Sequence, residues 1–217
     1  MVSGMHPLFP LTLVGDQVRL EPLDLRHLDG LLDASAESRS SYGWTYVPAD
    51  RSAMKAWIAE ALADAEAGRA VPFATVDASG GRIIGATRFA NLERWHWRGP
   101  PVEPRPVGPD AVEIGWTWLA HGAQRTATNS EAKLLMLRHA FAVWRVYRVT
   151  LKTDARNQRS RSAIERIGGR LDGIMRAHMP GADHTVRDTA CYSLVRAEWP
   201  EVERRLAERL ARAPSRR

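Results

Sequence analysis

Short alternating stretches and stretches of helical apolar spacing, one of them strongly apolar, divide the chain into well-marked pieces. Residues 18–23 (VRLEPL) alternate and predict a first strand. Asp24 can cap a helix whose Leu28, Leu31, Leu32 and Ala36 share one face. Residues 40–48 (SSYGWTYVP) form a loop, and Ser52 opens a second helix that Gly68 stops. Residues 71–77 and 82–91 predict two strands joined by Ala78-Ser79-Gly80-Gly81, a hairpin signal. Residues 99–109 hold five prolines and predict a stiff loop without ladder donors. Then follow a strand at 111–119, an apolar helix at 131–144, a strand at 148–153 and a helix at 158–167 ended by Gly168-Gly169. Strands at 170–179 and 185–195 and an amphipathic helix at 199–212, with Val202, Leu206 and Leu210 on one face, complete the chain. The order β-α-α-β-β-β-α-β-α-β-β-α puts antiparallel strands before a β-α-β-α-β half. That points to a mixed α/β sheet flanked by helices.

Composition narrows the class. The chain has 217 residues, 44% hydrophobic and 26% charged, enough for one folded domain with its own core. Cys191 is the only cysteine, so an intrachain disulfide and a cysteine metal cluster are excluded, and its alternating surroundings make it a packed strand residue. No metal site is expected. The first residues lack a basic leader with an apolar run, and no window approaches a membrane span, so we expect a cytoplasmic protein. The net charge of +6 is mostly arginine, since only Lys55, Lys133 and Lys152 are lysines. These cations are spread along the chain except at the tail, so we expect no dedicated nucleic-acid binder.

The chemistry concentrates in residues 113–133, where a strand runs through the turn Gln124-Arg125-Thr126-Ala127-Thr128-Asn129 into a helix. Thr128 and Glu131 have capping-box spacing. The first amides of such a helix have no intrahelical partner, small side chains admit a ligand to the backbone, and Arg125 adds a charge. A phosphate or pyrophosphate suits this turn; an ordinary capped helix is the alternative. A second strand–helix junction places Asn157 and Ser160 at a helix start. If the two strands are parallel neighbours, both junctions open on one crevice. Asn157 could then meet an amide-containing ligand, or be a cap alone.

These segments resemble the core motifs of the Gcn5-related N-acetyltransferases (GNAT), in particular the branch acting on ribosomal-protein N-termini. Gln124-Arg-Thr-Ala127-Thr-Asn129 followed by Ser130-Glu131-Ala132 stands for the family's Gln/Arg-x-x-Gly-x-Gly/Ala turn and Thr-Glu-Ala helix start. Glu113-Ile114-Gly115-Trp116-Thr117-Trp118-Leu119 stands for its upstream strand, and Asn157-Gln-Arg-Ser160 with Gly168 for its downstream motif. The resemblance covers residues 16–197, leaving a lead at 1–15 and a C-terminal helix and basic tail at 198–217.

The resemblance implies a mostly antiparallel, splayed sheet and acetyl-CoA as co-substrate, without a metal. Its pyrophosphate would sit on the amides of Arg125 to Asn129, its pantetheine arm along Trp118 and Leu119, with Asn157 bonding the arm. Arg159 and Arg161 are further candidates for its phosphates. Transfer to an amine needs a base, and Glu113 lies in the right region; it could equally be an ion-pair partner. A backbone amide on the strand from Trp116 to Leu119 could polarise the thioester carbonyl. The family's tyrosine position holds Ile164, which leaves Ser160 as a weak substitute acid. Trp44 and Tyr46, with Trp95 and Trp97, could line a pocket for the amine acceptor, or simply pack. An acidic acceptor would suit the arginines better than a basic peptide would. The resemblance further implies a homodimer. Two other classes stay open: a non-catalytic acyl-CoA-binding module, and a basic nucleic-acid- or ribosome-associated protein.

Overall fold

The computed structural model describes residues 11–102 and 104–212. The first ten residues of the lead, and the tail from residue 213 with Arg216 and Arg217, lie outside the described residues. The eight strands are β1 (Leu13–Val14), β2 (Val18–Pro22), β3 (Val71–Asp77), β4 (Ile83–Glu93), β5 (Ala111–Leu119), β6 (Arg148–Asp154), β7 (Arg170–Pro180) and β8 (Val186–Val195). They form one sheet in the order β1-β2-β3-β4-β5-β6-β8-β7, antiparallel everywhere except between β5 and β6. The helices are α1 (Leu28–Ala36), α2 (Arg51–Glu66), α3 (Thr128–Arg138), α4 (Gln158–Arg166) and α5 (Trp199–Ala211). A π-helical segment, His139–Trp144, continues α3. Among the described residues no helix is long and apolar enough to cross a membrane, and no cluster of metal-ligating side chains occurs.

Local chemistry explains the boundaries. Asp50 caps α2, its carboxylate accepting from the Ala53 amide at 2.9 Å, and Gly68 (φ +69°) supplies the left-handed turn that ends it. Asp24 and His27 cap each other's backbone before α1. Strand alternation then assigns the faces. From β4, Arg88 meets Trp57 of α2 on one face. From the other face, Phe89 meets Trp144 at the end of the α3 segment. Continuing the register through β5, β6 and β8 puts Tyr192 on the α3 face, where its hydroxyl engages Arg161 and Glu165 of α4. Thus α1 and α2 cover one face, α3 and α4 the other, and a single apolar core joins both flanks of the chain to the sheet, with Trp199 and Leu206 in it and Leu13 packed against it.

Two irregularities shape the centre. The parallel pairing of β5 with β6 covers only Ala111–Arg148, Val112–Val149 and Glu113–Thr150. Beyond it β5 runs on to Leu119 and β6 to Asp154 with no partner in each other, so the sheet opens as a wedge. Within β5, the register to β4 steps between Gly115 and Trp118: Trp116 and Thr117 together oppose Thr87 alone. This is a β-bulge, and Trp116 sits in it at φ +50°, a conformation costly for a bulky side chain. Just past the bulge β4 and β5 approach so closely that a Cβ on Gly85 would lie 2.1 Å from the Trp118 carbonyl oxygen.

Candidate active site

Parallel β5 and β6 both deliver their C-terminal ends to the mouth of the wedge, and each is followed by a helix whose N-terminus points there. On the β5 side Arg125 adopts φ +59° and α3 starts at Thr128. The expected capping box is not formed. Thr128 already lies within the helix, and Glu131 turns away, its carboxylate accepting from the amides of Asp16 (3.0 Å), Gln17 (2.7 Å) and Val18 (2.8 Å). The sequence spacing was right for a cap, but the long-range turn before β2 offers three donors and takes the carboxylate instead. The Thr126 hydroxyl donates to Ala123 O and accepts from the Thr128 amide at 3.2 Å. Among the described residues no side chain caps the amides of Ala127, Asn129 and Ser130, so these positive helix-end groups face the mouth with the exposed Arg125 beside them.

On the β6 side Asn157 caps α4, its Oδ1 accepting from the Ser160 amide at 3.0 Å. Its amide nitrogen makes no bond to the described residues, so capping and ligand donation use different atoms. Arg161, by contrast, is committed to Tyr192 Oη and Ala155 O and does not reach the mouth. Arg159 does: it donates to Gln124 Oε1 at 3.2 Å and to Ser41 O at 2.6 Å. Gln124 in turn donates to Ser41 Oγ and to Leu119 O. The Tyr42 hydroxyl also donates to Leu119 O, and Arg156 covers the Trp44 ring at 4.2 Å. The loop between α1 and α2 is therefore strapped across the mouth, enclosing with the start of α4 a cleft of about 340 Å³. Trp118 is buried edge-on to Tyr42, and its indole N–H has no partner among the described residues.

Glu113 stands at the vertex, in the last β5–β6 pair. Asn91, held at φ +48° in a bulge of β4, and Lys152 of β6 both donate to Glu113 Oε2 at 2.8 Å. Its other oxygen, Oε1, has no donor among the described residues and lies beside Gly115, where a Cβ would approach it to 3.2 Å. One oxygen is thus anchored while the other faces the strand just before the bulge.

The four aromatic residues expected around an acceptor are not brought together. Trp44 and Tyr46 are on the strap at the wide mouth. Trp95 and Trp97 lie by the other end of β5, where Trp95 stacks on Tyr147 at 5.5 Å and both indoles bond carboxylates, Trp95 that of Glu93 and Trp97 that of Asp110. The proline-rich loop returns the chain to the start of β5 and pins them there through the Trp95 amide and Asp110. Ile164 is buried against Gly169, and the Ser160 side chain makes no bond among the described residues. No local signal marks Asn91, Lys152 or Arg156 in the sequence, because each acquires its role from a partner on another strand or loop.

A sheet opened at one parallel pair, with an uncapped helix N-terminus at its mouth and an anchored carboxylate at its vertex, defines the acyltransferase class of fold. The family model "Acetyltransferase (GNAT) domain" matches residues 17–170, and the chain belongs to that family. Among solved structures it is similar to a GCN5-related N-acetyltransferase from Brucella melitensis, with 28% identity over 93% of this chain and 86% of that one, TM-score 0.77. A T. thermophilus protein described as an acetyltransferase is 32% identical over 93% and 98% of the two chains, TM-score 0.74. Mycobacterium smegmatis RimJ, solved in complex with CoA-disulfide, shares the fold at 20% identity over 94% and 97%, TM-score 0.76. No curated protein sequence matches the chain.

Proposed function

We propose that the protein is an acetyl-CoA-dependent N-acetyltransferase that passes the acetyl group directly to an amine. The observation that carries this is the coincidence of two open backbone surfaces: the β5 edge that β6 leaves unpaired between Glu113 and the Leu119 carbonyl, and the amides of Ala127, Asn129 and Ser130 at the start of α3. An extended ligand with amide groups along its length and a pyrophosphate at one end satisfies both. Arg125 and Arg159 add charge for the phosphates, and the unused Asn157 amide nitrogen suits an arm carbonyl.

For the chemistry, the acceptor ammonium gives a proton to Glu113 Oε1, and the neutral nitrogen attacks the thioester carbonyl. The C–N bond forms, the C–S bond breaks, and CoA departs as thiolate, which takes up the second proton released by the nitrogen, directly or through solvent. Asn91 and Lys152 keep Oε2 fixed so that Oε1 alone is available, and a backbone amide at the bulge can stabilise the developing oxyanion. The acceptor enters from the α1/α2 face, on which Glu113 lies. We place the Trp44 and Tyr46 strap along its path, and a small amine or a protein N-terminus fits this description.

Ile164 favours a second reading, an acyl-CoA-binding module that does not turn over, since no hydroxyl stands where the family's acid does. Thermal shift with acetyl-CoA followed by free-thiol detection across an amine panel tests both. Stabilisation with thiol release supports the enzyme, stabilisation without release from any amine supports the module, and no stabilisation at saturating acetyl-CoA overturns both.

A further inference from the structure

The β5 bulge is gripped from both faces of the sheet by a buried basic side chain. On the α1/α2 face the Arg88 guanidinium lies between the Trp57 and Trp116 rings, 5.2 and 4.8 Å from their centroids, with Asp64 at 3.7 Å. On the α3 face Lys133 is buried, 4% exposed, and pairs with no carboxylate among the described residues. Its Nζ donates to Thr87 Oγ1 at 3.0 Å and Thr117 Oγ1 at 2.6 Å. Thr117 is the second bulge residue, and Thr87 is the single β4 residue opposite it. The hydroxyls also touch each other at 2.8 Å, and each lies 3.4 Å from Gly115 O, the carbonyl just before the bulge. Lys133 thus bridges both rims of the irregularity.

Two acceptors suit a neutral amine, which has two N–H groups; an ammonium has a third that would find no partner here. The charged and titratable groups on the surrounding elements are otherwise engaged. Glu131 of α3 is held by the amides of residues 16–18, and Arg138 pairs with Glu203 of α5 at 2.7 Å. Arg19 and Glu21 of β2 pair with each other, and Arg88 of β4 points to the opposite face. His139, nearly two turns further along, packs on Phe89 and Trp144 with its Nε2 unpartnered among the described residues, and burial lowers its pKa. None of these compensates Lys133, whose pKa burial alone lowers to about 7.

We propose that Lys133 is a positioning residue of the wedge: as a neutral amine it ties the β5 bulge to β4 and fixes the wall along which the pantetheine arm lies, and protonation weakens that hold. This rests on the acetyl-CoA reading above. If only the neutral form is binding-competent, affinity scales with the neutral fraction. Acetyl-CoA affinity of the wild-type protein then falls about tenfold between pH 8 and pH 6.

Calorimetric titration of the full chain with acetyl-CoA at pH 5.5 to 9 tests it, alongside Lys133→Met, Lys133→Arg and Thr117→Val. We expect Lys133→Met to bind more weakly than wild type at pH 8 and to lose the part of the pH dependence that wild type shows near 7. Lys133→Arg, always charged, should bind weakly throughout, and Thr117→Val should lose affinity at pH 8. With ¹³Cε-labelled lysine, only three side chains contribute signals, and the one that disappears in Lys133→Met should titrate near 7 and shift on adding acetyl-CoA. An unchanged pH dependence in Lys133→Met, or a Lys133 signal that does not titrate between pH 5.5 and 9, would overturn this inference alone. Absence of wild-type binding at every pH would overturn the acetyl-CoA reading and this inference with it.

Discussion

Replacing Lys133 by Met keeps an unbranched side chain of similar length and removes the one buried amine without a counter-charge among the described residues. Burial lowers its pKa from 10.5 to about 7 in the folded protein, while the unfolded chain keeps the ordinary value. Between those two pH values the unfolded state binds more protons, so stability rises with pH there. The contribution is fully present above about 10.5, drains away as pH falls toward 7, and is constant below. At 1.36 kcal/mol per pKa unit the whole span amounts to about 5 kcal/mol, of which about 2 kcal/mol falls between pH 9 and pH 7. Urea unfolding of wild type and Lys133→Met at both pH values isolates this amount, because the other titrating groups are common to the two proteins and cancel. The variant should gain about 2 kcal/mol on wild type in going from pH 9 to pH 7. Lost hydrogen bonds to Thr87 and Thr117 add an offset at both pH values and leave the difference intact. Equal stability gaps at pH 7 and 9 would show that Lys133 stays charged when folded, and the assignment of its two donors would be wrong.

Other substitutions probe the remaining parts. Glu131→Ala strands the amides of Asp16, Gln17 and Val18 and should cost about 3 kcal/mol or more in urea unfolding; a loss below about 1 kcal/mol would mean that a simple helix cap was removed. Gly85→Ala drives a Cβ against the Trp118 carbonyl and should cost more than about 2 kcal/mol, read the same way, with wild-type stability as the contrary result. Glu113→Gln should lower kcat roughly 100-fold or more with acetyl-CoA affinity retained, and unchanged rates would remove Glu113 as the base. Arg125→Ala should weaken acetyl-CoA severalfold and flatten the salt dependence of binding, whereas equal affinity for acetyl-CoA would take Arg125 out of the phosphate site.

Much of the architecture was legible because local rules and tertiary demands agree. The strand Ala111–Leu119 follows from its sequence to the residue, and Gly68 and Gly168 end their helices at φ +69° and +98°. The candidate site was legible where it depends on a strand–turn–helix junction, as at residues 124–129 and 157–160. It was illegible where a contact joins distant positions. Helical spacing puts Lys133 on the face of Leu137, Ala140 and Trp144 but does not supply its partners, and nothing in the spacing of residues 113–119 announces that Trp116 and Thr117 share one partner. Thr128 and Glu131 match a capping box as well as any pair does, yet the donors that claim Glu131 come from residues 16–18, more than 110 positions away. Trp95 and Trp97 are aromatic and near a loop, which does not distinguish an acceptor wall from a clamp at the start of β5.

The departures from the simplest local pattern share a physical origin that bears on function. A helix cap and a regular β-pair are the simplest ways to satisfy backbone groups, and the sequence around the wedge declines both. Glu131 is committed to the turn before β2 and the Thr126 hydroxyl takes only the Thr128 amide, so the amides of Ala127, Asn129 and Ser130 at the α3 start stay open among the described residues. The bulge throws β5 out of step, and a strained Trp116 is kept there by Arg88 on one face while Lys133 steadies Thr117 on the other. Leaving backbone polar groups unpaired carries a folding cost that persists only if the surrounding contacts fix the course of the strand, and those two buried basic side chains tie the bulged β5 to β4. Regularising the site should therefore separate stability from binding. A variant such as Ala127→Ser, which offers α3 an N-cap hydroxyl for Asn129 or Ser130, should raise unfolding stability by about 0.5–1 kcal/mol and weaken acetyl-CoA binding. If it stabilises the fold and leaves acetyl-CoA affinity unchanged, the open amides are not the phosphate site.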